Sequence, residues 1–152
     1  MNGMKILQQN KKAYFDYEVL EEFVAGLVLT GPEIKSVRAG HVQLKGAYVS
    51  VMGGQAWIKS MSISHYKYAK EEGYEPFRDR KLLLNKKEIE KIAAKIHAKG
   101  FTIAPLAIGL EGAFAKLRIG IVRGRKKEDK REVIKDRENK RTVARAIRTF
   151  RR

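Results

Sequence analysis

The amino-acid sequence predicts a mostly β domain with flanking helices, built as a small antiparallel barrel and followed by a basic C-terminal tail. Short stretches of alternating apolar and polar residues are separated by glycine-containing turns, which is typical of strands joined in hairpins. Helical patterns are few and do not alternate regularly with the strands, which argues against a parallel α/β sheet. Basic residues accumulate after Gly124, in a segment too poor in apolar residues to build its own core.

The composition points to a polyanionic partner. The 152 residues fit one domain and carry a formal net charge of +16, with no cysteine. Disulfides, thiolate nucleophiles and zinc ribbons are therefore excluded. No apolar run approaches the roughly 20 residues that span a bilayer, and no signal-like segment follows the N-terminus. Nucleic acid is favoured over a membrane surface, and we expect a cytoplasmic monomer.

The first third of the chain predicts a loose terminus, two strands and a short helix. Residues 1–12 are polar and basic, with little to bury, so we expect a flexible basic N-terminus. From Ala13 the apolar residues alternate, which predicts a half-buried strand. Residues 23–30 are apolar on both faces and predict a second, central strand. Pro32 then suits the first turn of a helix that Gly40 can end.

The middle of the chain predicts a hairpin and a long loop. Alternation on both sides of Gly53 and Gly54 indicates two strands joined by a glycine turn. Residues 64–80 are polar, aromatic and basic without a sustained period, which favours a functional loop.

The last part of the body predicts a helix and two strands. Asn85 and Glu88 have the spacing of a helix N-cap and its partner, and an apolar stripe follows. Residues 101–108 and 113–122 predict the strands that complete the domain. In the second of these, Lys116 and Arg118 point away from the apolar residues. The predicted barrel therefore extends over residues 13–124.

The tail, residues 125–152, carries 13 basic and five acidic residues. A helix would align Arg141, Arg145 and Arg148 on one side, but an isolated helix of this composition is marginal in water. We expect the tail to be disordered when free and helical when a polyanion neutralises it. Disorder without a function is the alternative interpretation.

Candidate catalytic and metal sites are weak. His41, His65 and His97 are far apart and lack ligand spacing, so we predict no metal and no cofactor. Glu33 beside Lys35 resembles an acid–base pair, but a glutamate in a first helical turn is more often a helix-end residue. Aromatic residues that flank cations are suited to stacking bases, or else to packing against the barrel. These residues are Tyr14, Tyr66, Tyr68, Tyr74 and Phe77.

Several motifs, taken together and in order, resemble the SmpB family, the bacterial protein partners of transfer-messenger RNA. They cover nearly the whole chain. The motifs are NKKA (10–13), AGLVLTGPEIKSVRAG (25–40), GAYV (46–49), RDRKLLLNKKEI (78–89), GFTIAPL (100–106), KLRIGIVRGRKKEDKR (116–131) and IKDRE (134–138).

The resemblance implies an oligonucleotide-binding (OB)-like β-barrel that binds the tRNA-like domain of transfer-messenger RNA and delivers it to stalled ribosomes. It implies that the tail enters the empty mRNA channel near the decoding centre of the small subunit and senses that it is empty. It also implies that the protein is an adaptor and not an enzyme.

The resemblance also implies site residues. The positions that match RNA-surface residues of the barrel are Asn10, Lys11, Leu83 and Lys116. The tail positions that match the ribosome-binding motif and its basic neighbours are Lys126, Asp129, Lys130, Arg131, Lys135 and Arg137.

Val24 departs from the family pattern, which has glutamate before the AG dipeptide. Valine cannot accept hydrogen bonds from a base edge or a 2′-hydroxyl. We therefore expect weaker RNA binding than in a Val24→Glu form. Equal affinities at matched salt would reject this expectation.

Two other functions fit the composition. A structural ribosomal or general RNA-binding protein would use a basic barrel and tail equally well, but it would not prefer a tRNA-like fragment over another hairpin of equal charge. A nuclease would cleave the RNA.

Overall fold

Strands dominate the computed structural model, which describes residues 4–69 and 72–125. The strands in chain order are β1 (Lys5–Gln9), β2 (Tyr17–Leu27), β3 (Val42–Gln43), β4 (Tyr48–Met52), β5 (Gln55–Lys59), β6 (Ser62–Ile63), β7 (Arg80–Leu83), β8 (Phe101–Glu111) and β9 (Phe114–Gly124). The helices are α1 (Lys11–Asp16), α2 (Gly31–Arg38) and α3 (Lys86–Ile96).

Seven of these strands form one antiparallel sheet in the order β1-β8-β9-β2-β7-β5-β4, and β3 pairs with β6 separately. The prediction of a mostly β, antiparallel domain with few helices is confirmed. Closure into a barrel is not found within the described residues, where β1 and β4 are the edge strands of the sheet. β4 nevertheless approaches β8 without pairing with it, so the sheet is curled.

The N-terminal prediction is wrong in two respects. Residues Lys5–Gln9 are not a loose terminus, because they pair with β8 and extend the sheet. Residues 13–16 are not the start of a strand, because they belong to α1. Over so few residues the alternation also fits a short helix, whose Ala13 and Tyr14 pack in one small apolar cluster with Tyr17 at the start of β2.

The other elements follow the predictions more closely. α2 and α3 both begin with a capping box, and the β4–β5 and β8–β9 hairpins are present. Both turn glycines of the first hairpin, Gly53 and Gly54, have positive φ, which glycine adopts without steric cost. The two strands predicted around residue 20 form one strand, β2. The short strand β7 was not predicted, because its four residues show no clear period.

The main core lies between the inner face of the sheet and the helices α2 and α3. Inward residues of β2 and β9, such as Ala25 and Leu117, are fully buried there. Val37 of α2 and Ile92 of α3 complete the same core. Each large side chain buried in this way contributes about 1.5–3 kcal/mol. Because successive side chains of a strand point to opposite faces, this core also determines which residues of β2 and β9 face outward.

A buried ion pair connects the start of α2 to β7. The Glu33 carboxylate accepts a hydrogen bond of 2.8 Å from Nε of Arg80, whose side chain is fully buried. Arg80 also donates to three backbone carbonyls, and Glu33 accepts from the Thr30 backbone N–H at 2.9 Å. Arg78 binds the same carboxylate. Glu33 is thus a helix-end residue, as its first-turn position suggested, and its carboxylate also forms ion pairs with Arg78 and Arg80.

The ion pair also restrains the segment before β7. The Tyr74 hydroxyl donates to the Ile63 carbonyl at 2.8 Å and lies within 3.3 Å of Glu33. Burial alone would raise the pKa of Glu33, but hydrogen bonds from Arg78, Thr30 and Arg80 outweigh burial and lower that pKa from 4.5 to about 2. The charged carboxylate is therefore the form that the fold stabilises.

The free energy of unfolding should depend on Glu33 at acidic pH. Because the folded-state pKa is depressed, its contribution is present above pH 4.5 and is lost as the pH falls toward 2. This loss should be about 3 kcal/mol. Glu33→Gln leaves Arg80 buried without its counter-ion and should cost about 3–5 kcal/mol at pH 7. Urea unfolding at a series of pH values measures both effects.

The matched control is Glu111→Gln, which removes an exposed carboxylate at the β8–β9 turn. It should leave the pH profile of the free energy of unfolding close to that of wild type. Glu33→Gln should flatten the acidic part of this profile. A Glu33→Gln profile parallel to that of wild type would contradict the role assigned to the ion pair.

Candidate nucleic-acid interface

The outward side chains of β7, β2 and β9 form one continuous surface, here called the outer face. In the strand register, Gly26 of β2 lies opposite Leu83 of β7 on one side and opposite Lys116 of β9 on the other. Two residues earlier on β2, Val24 lies opposite Arg118. Leu83 and Lys116, which are far apart in the sequence, are thus brought into one row across three strands.

Two exposed apolar side chains and one glycine shape the outer face. Leu83 is 55% exposed and Val24 is 50% exposed, although both belong to regular strands. A Cβ atom added to Gly26 would lie 3.2 Å from Cβ of Leu83. The absence of a side chain at Gly26 therefore lets Leu83 lie close against β2. The result is an apolar surface suited to contact with a base or a sugar.

Cations surround these apolar groups. On β7 the side chain of Lys81 points outward, as that of Leu83 does. On β9 the side chains of Lys116 and Arg118 point outward. Within the described residues, the side chains of these three form no ion pair or hydrogen bond. They are therefore available to phosphate groups, which supply much of the affinity in protein–nucleic acid complexes. Lys81 and Arg118 were not among the predicted site residues, although alternation along the strands relates them to Leu83 and Lys116.

The helix α1 covers a further part of the same side of the sheet. Gly120 lies on β9 two residues beyond Arg118 and opposite Ala104 of β8. Ala104 packs with Leu106, Val122 and Ala13 of α1 in the smaller apolar cluster. Because these β8 and β9 positions share the outward direction of Arg118, α1 sits on the side of the sheet that carries the outer face.

Asn10 and Lys11, at the start of α1, have different environments. Asn10 is buried, its Nδ2 donates to the Pro105 carbonyl at 2.8 Å, and its Oδ1 accepts from the Ala13 backbone N–H at 3.2 Å. The Asn10 side chain therefore caps the helix and anchors it to β8. Lys11 is exposed and carries its charge into solvent. Asn10 therefore positions the helix, whereas Lys11 is a cation that nucleic acid can reach.

The predicted aromatic residues do not form a single platform. Tyr66 and Tyr68 contact each other edge to face, with ring centroids 5.4 Å apart, and Lys35 lies over the Tyr66 ring. This group belongs to the α2 side of the molecule, across the core from the outer face. Tyr74 is engaged with Glu33. Phe77 is exposed, whereas Tyr14 packs on the smaller apolar cluster.

The end of the described chain is attached to the body near α1. The Arg125 backbone N–H donates to the Asp16 carbonyl at 2.8 Å, and Nε of Arg125 donates to the Tyr17 carbonyl at 3.0 Å. The predicted tail residues lie outside the described residues: Lys126, Asp129, Lys130, Arg131, Lys135 and Arg137. These hydrogen bonds hold Arg125, the last described residue, against the end of α1 and the start of β2.

Two kinds of site are not found in the described part of the chain. Over residues 4–69 and 72–125, no group of three or more histidine, aspartate or glutamate side chains is arranged to hold a metal ion. No helix within the same ranges is long and apolar enough to cross a membrane.

The chain is similar to known proteins both in sequence and in fold. A family model described as SmpB protein matches residues 7–149. The SsrA-binding protein of Bacillus cereus is 47% identical over 144 residues, covering 95% of this chain and 93% of the relative, and that of Bacillus anthracis has the same identity and coverage. A chain in the solved structure "tmRNA-SmpB: a journey to the center of the bacterial ribosome" has a TM-score of 0.67 and 36% identity, covering 84% of this chain and 93% of that chain.

Replacing Asn10 should destabilise the fold, whereas replacing its neighbour should not. Asn10→Ala removes the helix cap and leaves the Pro105 carbonyl without its donor, so the free energy of unfolding should fall by about 1–3 kcal/mol. Lys11→Gln changes an exposed side chain and should alter it by less than about 0.5 kcal/mol. Urea unfolding of both variants checks this. Equal stabilities would contradict the structural role of Asn10.

Proposed function

The chain belongs to the SmpB family, and from this we propose that it is an RNA-binding adaptor of trans-translation, which binds the tRNA-like domain of transfer-messenger RNA and delivers it to stalled ribosomes. The observation that carries the proposal is the row formed by Leu83, Gly26 and Lys116 on the outer face. It combines an exposed apolar side chain, Leu83, with a cation, Lys116, that forms no ion pair with any described residue. Such a surface contacts unstacked bases and backbone phosphates together.

The proposed RNA interface consists of the outer face and the exposed start of α1. Lys11 and Lys116 provide cations for phosphates, and Leu83 provides an apolar contact. Asn10 contributes indirectly, because its side chain holds α1 against β8 and thereby positions Lys11.

The C-terminal tail has a separate task in this proposal. It enters the empty mRNA channel of the small ribosomal subunit and senses this state near the decoding centre, and it becomes helical there. The residues assigned to this task are Lys126, Asp129, Lys130, Arg131, Lys135 and Arg137. Its excess of positive charge supports a position along ribosomal RNA. The attachment of Arg125 to the Asp16 and Tyr17 carbonyls supports a defined starting point for the tail.

The remaining features of the proposal concern the fold and the setting. The approach of β4 to β8 supports an OB-like barrel whose sheet curls on itself. The protein acts in the cytoplasm as a monomer. It is an adaptor and not an enzyme, and it leaves the bound RNA intact.

The proposal predicts selective RNA binding through the outer face. In filter binding at moderate salt, the protein should prefer the tRNA-like fragment over an unrelated hairpin of equal charge. Lys116→Gln should weaken binding of the tRNA-like fragment by about 5- to 10-fold, because a charge-assisted contact is lost. Lys99→Gln, which removes an exposed cation after α3, is the matched control. Equal affinity for both RNAs would favour a general RNA-binding protein instead.

Truncation before Arg125 separates the two proposed tasks. The shortened protein should keep its affinity for the tRNA-like fragment, because the outer face and α1 remain. It should lose tagging of stalled chains in a reconstituted translation reaction, because the tail is absent. Loss of RNA binding by the truncated protein, with its fold verified by circular dichroism, would show that the division between body and tail is wrong.

A further inference from the structure

We infer that Arg118 is an additional phosphate-binding residue of the RNA interface, and that valine at position 24 leaves it available for this role. The inference rests on the proposed function and adds a residue to the proposed interface. It follows from the pairing of β2 with β9, from the charges along these two strands, and from the environment of the guanidinium group.

The register places residue 24 beside Arg118. Val24 and Arg118 are directly opposite each other in the antiparallel pair, and both point to the outer face. Side chains at such positions have Cβ atoms about 4.5–5.5 Å apart, so opposite charges there interact directly. A carboxylate at position 24 would therefore lie within reach of the guanidinium of Arg118. The valine side chain offers it no acceptor.

The same two strands show what happens when an acid occupies such a position. Glu18 and Arg123 are also directly opposite in the register, and Oε2 of Glu18 lies 2.5 Å from the Arg123 guanidinium. The hydrogen bond from Arg123, together with its charge, lowers the pKa of Glu18. An arginine of β9 thus pairs with a facing glutamate of β2 where one is present.

At Arg118 this pairing is missing. Its side chain is partly buried, and within the described residues it forms no ion pair or hydrogen bond. The acid one row further along the outer face is Glu22, which lies opposite Gly120 and does not pair with Arg118. Lys116, two residues before Arg118, adds a second cation. Both cations are therefore partly exposed and have no neutralising partner among residues 4–69 and 72–125.

A phosphate group would supply the negative charge and the hydrogen-bond acceptors that Arg118 lacks among the described residues. The planar guanidinium donates two parallel hydrogen bonds to a phosphate and remains charged at all relevant pH values. The Arg118 side chain is partly buried, which restricts it before binding and reduces the entropy lost on contact. With Lys116 beside it on the same strand, Arg118 extends the cationic edge of the apolar surface at Val24 and Leu83.

The test measures how the affinity for the tRNA-like fragment depends on salt in four proteins: wild type, Arg118→Gln, Val24→Glu and the double variant. Each phosphate contact contributes about 0.7–0.9 to the slope of log affinity against log salt. Arg118→Gln should lower this slope by about that amount when residue 24 is valine. When residue 24 is glutamate, the new carboxylate neutralises Arg118, so Arg118→Gln should leave the slope nearly unchanged, even though hydrogen bonds from the RNA to that carboxylate raise the overall affinity. Equal slope changes in both backgrounds would overturn the inference.

Two further variants serve as controls. Lys99→Gln removes one positive charge away from the outer face and should leave the slope unchanged, and an equal decrease would assign the effect to net charge and overturn the inference. Arg118→Lys keeps the charge and should retain most of the slope, whereas a loss as large as that of Arg118→Gln would point to a packing role. Thermal unfolding verifies that each variant is folded.

Together with the filter-binding comparison of the tRNA-like fragment and an equally charged hairpin, these measurements distinguish failure of the inference from failure of the proposed function. If wild type shows no preference for the tRNA-like fragment over an equally charged hairpin, the proposed function is wrong, and the inference that rests on it falls too. If wild type shows that preference but Arg118→Gln leaves the salt slope unchanged, only the role of Arg118 is wrong.

Discussion

Pairing of β2 with strands on both sides is the constraint on which the proposed interface depends. β9 pairs with β2 along most of its length, and β7 pairs with its last residues. Inward residues such as Ala25 are fully buried in the core, so a shift of register by one residue would expose them. Because exposing these residues would cost free energy, the register is maintained and Gly26 stays between Leu83 and Lys116. Burial of the inward residues therefore determines which side chains face outward, although the inward residues are not part of the outer face.

Much of the fold was predictable because local patterns and tertiary structure agree. The alternation in β9 and the cap at Asn85 each identify one element, and both are confirmed. The sequence did not reveal β1, because its partner β8 is about 100 residues away. The ion pair between Glu33 and Arg80 was equally hidden, since no local pattern connects α2 to β7.

The candidate site was predictable in part. Family resemblance identified Leu83 and Lys116 and noted the departure at Val24, but only the strand register shows that these positions share a surface. Asn10 was predicted as an RNA-surface residue, whereas its side chain is engaged within the protein. For Arg118, alternation along the strand predicted only that its side chain points outward. Its relation to Val24 depends on which residues of β2 and β9 face each other, and single-strand alternation does not determine that.

The most direct test of the account is an NMR titration of the isotope-labelled protein with the tRNA-like fragment. Amide signals of Val24, Leu83 and Lys116 should shift together, and those near Lys11 should shift as well. Signals of the α2 side, such as those of Tyr66, should change little at the same RNA concentration. Shifts concentrated around Tyr66, with the outer face unaffected, would contradict the assignment of the outer face as the RNA-binding surface.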